Sequence, residues 1–240
     1  MTDRTEGLSV QVQARIAGFL YLLNILAGAF LYGFVRSTMI VPGHAATTSA
    51  NIEAHALLYR LGFVAGLVPV LCNIPLAFIF YDLFKVVNRS CSTLVAFFIL
   101  VASAIEGANL LNYYAPLILL EGGNPSAFKA EQLHAFAYTS LALHAIGFNV
   151  AVIFFAFYDL LIGYLIFKSD FLPRILGVLM AVAGLCYMTN SFASVLAPPF
   201  AARLVPYILV PAGVGELALS LWLLVMSVDV ERWGEQAIAA

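Results

Sequence analysis

Six long apolar runs, residues 16–35, 61–84, 94–120, 136–167, 172–196 and 204–228, follow one another along this 240-residue chain with short polar stretches between them. A helix of about 20 apolar residues crosses the roughly 30 Å hydrocarbon core of a bilayer, where only helices and closed barrels satisfy their own backbone. The pattern predicts an all-α fold, a polytopic membrane helix bundle with six transmembrane helices. Composition agrees, because 10% of the residues are charged and 63% are hydrophobic, against about a quarter charged in soluble domains. Residues 1–14 read as a polar cytoplasmic N-terminus, 15–228 as the transmembrane domain and 229–240 as a cytoplasmic C-terminal tail. The first run is too long for a signal-peptide core and is expected to remain as a span. The fourth, at about 1.5 Å per residue, reaches about 48 Å and must tilt or project beyond the membrane, which makes His144 a candidate interfacial residue.

An even number of spans places both termini on one side. A cytoplasmic placement puts Arg4, Arg15, Lys85, Arg89, Lys168, Arg174 and Arg232 inside, and Arg36, Arg60, Lys129 and Arg203 outside. That bias of seven against four favours N-in, C-in. The net charge is −2 with no basic run, which removes nucleic acid from the partner classes. Cys72, Cys91 and Cys186 lack CxxC spacing and are expected as free thiols.

Local signals add detail. Ser49 is a candidate cap for a short helix leading through Ile52, Ala56 and Tyr59 into the second span, and Asn124-Pro125 is a candidate helix start before the fourth. Pro69 and Pro75 flank Asn73 and favour a kink whose freed carbonyls a polar side chain would satisfy. Phe80-Tyr81-Asp82-Leu83 recurs as Phe157-Tyr158-Asp159-Leu160, a weak trace of a duplicated hairpin.

Polar residues inside the runs carry the functional signal: Asn24, Asn73, Glu106, Asn109, Asn112, Asn149, Asn190 and Glu216. A charged side chain near mid-bilayer costs about 2.5–3.5 kcal/mol on insertion scales, so each glutamate needs a partner, a proton or a cation. Glu106, Asn109 and Tyr113 stand at i, i+3 and i+7, one face of a helix, with Asn112 beside them. Glu216 lies between Gly213 and Ser220, on a face that admits a close helix. No Lys or Arg falls within the central part of a run, so the compensating groups are His144, Arg60, a proton or a bound cation. The candidate ligand- or proton-binding residues are therefore Glu106, Asn109, Asn112, Tyr113, His144, Asn149, Asn190 and Glu216, with His55 and Arg60 at an outer mouth. His44, His55, His134 and His144 show no metal-ligand spacing, and no metal or cofactor is expected. Lys85, three residues after Asp82, explains that aspartate as half of a surface ion pair. Asp159 has no such neighbour.

Arg15-Ile16-Ala17-Gly18 with Leu20-Tyr21-Leu22, Tyr59-Arg60-Leu61-Gly62-Phe63, Leu172-Pro173-Arg174-Ile175-Leu176-Gly177-Val178-Leu179 and Gly215-Glu216 resemble a bacterial multi-pass membrane family catalogued as domain of unknown function 4386. The resemblance runs from about Arg15 to Val228. It implies a bacterial cell (inner) membrane location and supplies no mechanism.

Three functions fit. In the first, a polar midplane cavity binds a small amphiphilic or cationic molecule, alone or with proton-linked transport. In the second, the polar residues only fix helix packing in a structural or interaction subunit. In the third, an intramembrane enzyme uses a glutamate as general acid or base, though no catalytic motif is present. Membrane lipids are partners in all three, and oligomeric state is not legible.

The charge bias yields an expected topology. Reporter fusions after Val87, Ser169 and Ala240 should read cytoplasmic, and fusions after Gly43, Gly123 and Arg203 external. An inverted pattern, or a seventh crossing, would refute it.

Overall fold

A computed structural model describes residues 9–122, 128–205 and 207–239. Among these residues there are helices and no strand. Helix α1 (Val10–Gly28), a π-helical segment (Ala29–Val35) and α2 (Arg36–Met39) run on as one 30-residue span. Then come α3 (Ala45–Ala54), α4 (Ala56–Phe84), α5 (Arg89–Gly122), α6 (Ala130–Lys168), α7 (Arg174–Leu196), α8 (Pro198–Leu204), α9 (Leu209–Val225) and α10 (Val230–Ala239). Five helical stretches are long and apolar enough to cross a membrane, and α8 with α9 makes a sixth if the two form one broken span. The protein is a multi-pass membrane helix bundle.

The ends of the helices follow from local chemistry. Asn88 caps α5, its Oδ1 accepting the Cys91 amide at 2.9 Å. Pro198 and Pro199 cannot donate to a continuing α7, but suit the first turn of a new helix, so α8 starts there. The last apolar run, expected as one helix over 204–228, is a helix only over α9, since α8 ends at Leu204 and the next helix starts at Leu209. Helix α4 continues through Pro69 and Pro75, and Asn73 between them is buried. The expected cap at Ser49 is not formed: Ser49 lies inside α3, buried, because the helix starts four residues earlier at Ala45. The predicted start at Asn124-Pro125, and residues 1–8 of the expected N-terminal segment, lie outside the described residues. The predicted tail is largely helical, since α10 occupies most of it.

The chain forms two compact units. The first comprises residues 1–22, 72–101 and 152–240, and the second residues 23–71 and 102–151.

In the first unit, small residues bring helix backbones together. A Cβ placed on Gly177 of α7 would stand 2.6 Å from the Gly163 carbonyl and 2.8 Å from the Phe167 nitrogen of α6. One on Gly215 of α9 would stand 2.7 Å from the Leu179 carbonyl of α7. Such close approach replaces the hydrophobic drive that lipid cannot supply. Helix α10 is held to this unit by hydrogen bonds, with Trp233 Nε1 donating to the Leu83 carbonyl at 2.9 Å and the Asp170 amide donating to Gln236 Oε1 at 3.3 Å. Asp82 pairs with Lys85 at the surface. The two Phe-Tyr-Asp-Leu segments therefore differ in environment, because Asp159 is fully buried.

The second unit has a core of Leu31, Val35, Met39, Ile52, Tyr59, Leu110, Tyr113, Leu117 and Leu141. Tyr59 and Tyr113 stack at 4.4 Å, nearly parallel, and each hydroxyl donates to the other residue's carbonyl, at 2.5 and 3.3 Å. Helix α3 is secured by Asn51, whose amide donates to the Met39 carbonyl at 3.1 Å.

The Gly163–Gly177 contact sets a quantitative expectation. Gly177→Ala forces one methyl group against backbone atoms, a form of overpacking that costs about 1–3 kcal/mol. Thermal unfolding in detergent should show a lower midpoint for Gly177→Ala, and an unchanged one for Ala substituted at Gly213, where a Cβ meets nothing within 4 Å. Equal midpoints for wild type and Gly177→Ala would exclude this contact as a packing determinant.

Candidate functional site

Each unit holds one cluster of buried polar side chains, and each cluster holds one of the two glutamates. In the second unit the cluster starts in the first span. Its π-helical segment carries Tyr32, and Arg36 follows four residues later. The Tyr32 hydroxyl donates to Glu106 Oε1 at 2.7 Å. The Arg36 guanidinium lies over the Tyr32 ring, 5.5 Å from its centroid, and its Nη1 is 2.5 Å from His144 Nδ1. A guanidinium only donates, so His144 Nδ1 accepts, and the ring proton of the neutral imidazole is on Nε2. That Nε2 is buried with no hydrogen-bond partner among the described residues.

Asn109 completes the arrangement. Its Nδ2 donates to Glu106 Oε2 at 3.4 Å and to the His144 backbone carbonyl at 2.9 Å, so one amide orients the carboxyl group and ties α5 to α6. It fits because Gly147 has no side chain: a Cβ there would overlap the Asn109 amide. Asn112 donates to Asn109 Oδ1 at 3.3 Å. Aromatic rings form the walls, with Phe148 at 4.4 Å from Tyr32 and Tyr113 at 5.4 Å from His144. The cluster thus brings a carboxyl group, a guanidinium and a neutral imidazole together around one tyrosine.

Glu216 belongs to the first unit and has different company. Tyr187 of α7 donates to its Oε2 at 2.9 Å. Asp159 of α6 is fully buried, and neither of its carboxyl oxygens has a hydrogen-bond partner among the described residues. Tyr21 of α1 and Tyr158 of α6 are buried as well. All three tyrosines lie within electrostatic reach of both carboxyl groups, which also act on each other.

Among the sequence-predicted residues, the structure joins Glu106, Asn109, Asn112, Tyr113 and His144 in one cluster. Asn149 stands apart in its bonding, its amide returning to the Ala145 carbonyl of its own helix at 3.2 Å. Asn190 is buried in the first unit, one turn beyond Tyr187. Arg60 is exposed and paired with Glu121, and His55 is exposed where α3 ends. His144, a candidate interfacial residue by sequence, is completely enclosed by protein. No group of three or more His, Cys, Asp or Glu side chains suited to a metal occurs among the described residues.

A family defined by sequence covers almost all of this architecture: the one described as Domain of unknown function (DUF4386) matches residues 16–227. The chain belongs to the DUF4386 family. No curated protein and no solved structure matches it. The DUF4386 site must accordingly be read from its own residues.

Sequence reasoning missed Tyr32, Arg36, Tyr21, Tyr158 and Tyr187, and singled out Asp159 without giving it a role. Arg36 was read as an outer-loop charge because the apolar run ends at Val35, whereas the helix continues to Met39 and carries the guanidinium into the Glu106 cluster. The i, i+4 spacing of Tyr32 and Arg36 was the available signal. For Asp159 it was the lack of a basic residue within one turn.

The Tyr32–Glu106 bond is testable by a double-mutant cycle in this DUF4386 protein. A hydrogen bond to a charged group is worth about 1.5–3 kcal/mol, so Tyr32→Phe and Glu106→Gln should each destabilise, with a combined effect clearly below their sum. Strict additivity in thermal unfolding would show that the two groups do not interact.

Proposed function

We propose that this protein is a bacterial inner-membrane binding or carrier protein for a small amphiphilic or cationic molecule, whose polar end is received at Glu106 with exchange of a proton. The observation that carries this reading is a buried carboxyl group, held from both oxygens by Tyr32 and Asn109, inside an aromatic wall. Carboxylate plus aromatic faces is the combination that recognises an ammonium or a flat organic cation. Arg36 supports reversibility. It acts electrostatically on Glu106 but forms its hydrogen bond with neutral His144, so part of the carboxylate's charge remains for a ligand. The unpartnered His144 Nε2–H offers a further donor to the polar group of an amphiphile.

A second reading draws on the bond from Asn109 to the His144 carbonyl, which is a helix-to-helix tie of the kind that needs no ligand. The two separate in one measurement. Proteoliposomes loaded to give a pH gradient should accumulate ethidium, a flat cation, and Glu106→Gln should lower uptake about tenfold, the equivalent of 1.4 kcal/mol. Uptake no greater than in protein-free liposomes, or equal in wild type and Glu106→Gln, would reject the carrier reading and favour the structural one.

A further inference from the structure

The first unit holds a second set of polar groups that ligand binding at Glu106 does not use. Asp159 and Glu216 come from α6 and α9, and they are joined by the hydroxyls of Tyr21 from α1, Tyr158 from α6 and Tyr187 from α7. The groups acting on the two carboxyls are acids and phenols, with no Lys, Arg or His among the described residues. Among the described residues, the one further titratable group reaching the cluster is Cys186, next to Tyr187.

Three observations indicate an occupant. Asp159 is 0% exposed and both its oxygens lack hydrogen-bond partners, an arrangement that a bare carboxylate in a membrane bundle cannot sustain. Tyr21 and Tyr158, 5% and 3% exposed, add two buried hydroxyls that interact with each other and with the two carboxyl groups. The enclosure is close: Phe80 packs against both tyrosine rings at 6.3 and 6.1 Å, and a Cβ on Gly184 would stand 3.1 Å from Asp159 Cβ.

The ligand atoms of Asp159, Glu216 and the three tyrosines are oxygens, which suits a hard cation or a proton. A divalent ion bound by protein alone draws on six or more oxygens, commonly from several acids, and only two acids are present here. We propose that Asp159 and Glu216 form a buried site for one monovalent positive charge, Na+ or a proton at the same oxygens, with Tyr21, Tyr158 and Tyr187 as its hydroxyl partners. A proton would bridge or neutralise a carboxyl group, whereas Na+ would accept lone pairs from Asp159 and the phenols. In a carrier, this is the kind of site at which an ion gradient acts. The proposal does not depend on ligand binding at Glu106.

The test uses the full chain in detergent, without any organic ligand. Thermal unfolding is measured in NaCl and in N-methylglucamine chloride of equal ionic strength, from acid to alkaline pH, with infrared difference spectra of the carboxyl bands on the same samples. The expected result is that wild type is stabilised by Na+ at alkaline pH, or by acidification alone, with a matching change in carboxyl bands. Na+ dependence identifies the metal ion, and dependence on acid alone identifies the proton. Asp159→Asn and Glu216→Gln should abolish the response, and the surface change Asp82→Asn should keep it. Should either core variant fail to fold, Tyr187→Phe provides the milder case, with the concentration of Na+ or protons needed for half the response raised about tenfold by loss of one hydrogen bond. A wild-type protein whose stability and carboxyl bands ignore both ions overturns the proposal, as does an undiminished response in folded Asp159→Asn or Glu216→Gln. Failure of ethidium uptake alone would leave it standing.

Discussion

A bilayer interior offers no water to hydrogen-bond a polar side chain, so every such group in this protein must be met by another part of the chain or by something bound to it. The Tyr32 side chain shows how much depends on this. Its hydroxyl meets Glu106, its ring lies beneath Arg36, and Arg36 in turn meets His144, so one aromatic residue connects an anion, a cation and an imidazole without a direct ion pair. Remove the tyrosine and both charges lose a neighbour. The Asn109 amide then binds the same carboxyl group to the backbone of α6, which makes the polar cluster part of the helix packing as well as a candidate for chemistry.

The two units meet the same constraint with opposite chemistry. In the second, charge is balanced internally, since Glu106 and Arg36 share a cluster with a neutral histidine. In the first, two acids and three phenols share a space with no basic residue among their described neighbours. The packing beside them is close, since Gly184 brings the α7 backbone against Asp159, and Gly163 with Gly177 holds α6 to α7. Small residues therefore do more here than permit helix association. At Gly184 they also border the acidic cluster.

Much of this was legible in the sequence, and the failures have physical causes. Hydropathy located the helices because the bilayer imposes a length on them, and the i, i+3, i+7 face of Glu106, Asn109 and Tyr113 survived intact because it lies within one unbroken helix. Partners on other helices were harder to see. Arg36 follows the last apolar residue of its run, and hydropathy cannot tell a loop charge from one that a helix carries into the protein. His144 sits in a run longer than a bilayer requires, and length alone gave no reason to enclose it. Asp82 and Asp159 share the same tetrapeptide, yet one is paired at the surface and the other is buried, a difference decided by tertiary contacts with α1, α7 and α9. Ser49 was read as a cap from residue type, but α3 had already begun at Ala45.

The π-helical segment has a consequence for how this site can vary. An α-helix advances its side chains by about 100° per residue, so a single inserted or deleted residue turns everything beyond it through roughly a quarter of a circle. A π-helical stretch absorbs one surplus residue within its wider coil, and such stretches are frequent at functional sites. Within the second unit, residues 29–35 therefore set the phase at which Arg36 is aimed at His144. Loss of one residue from this stretch would let the helix relax to ordinary α geometry while turning Arg36 relative to the side chains before it, so the length of this stretch is constrained more tightly than the identity of its apolar residues.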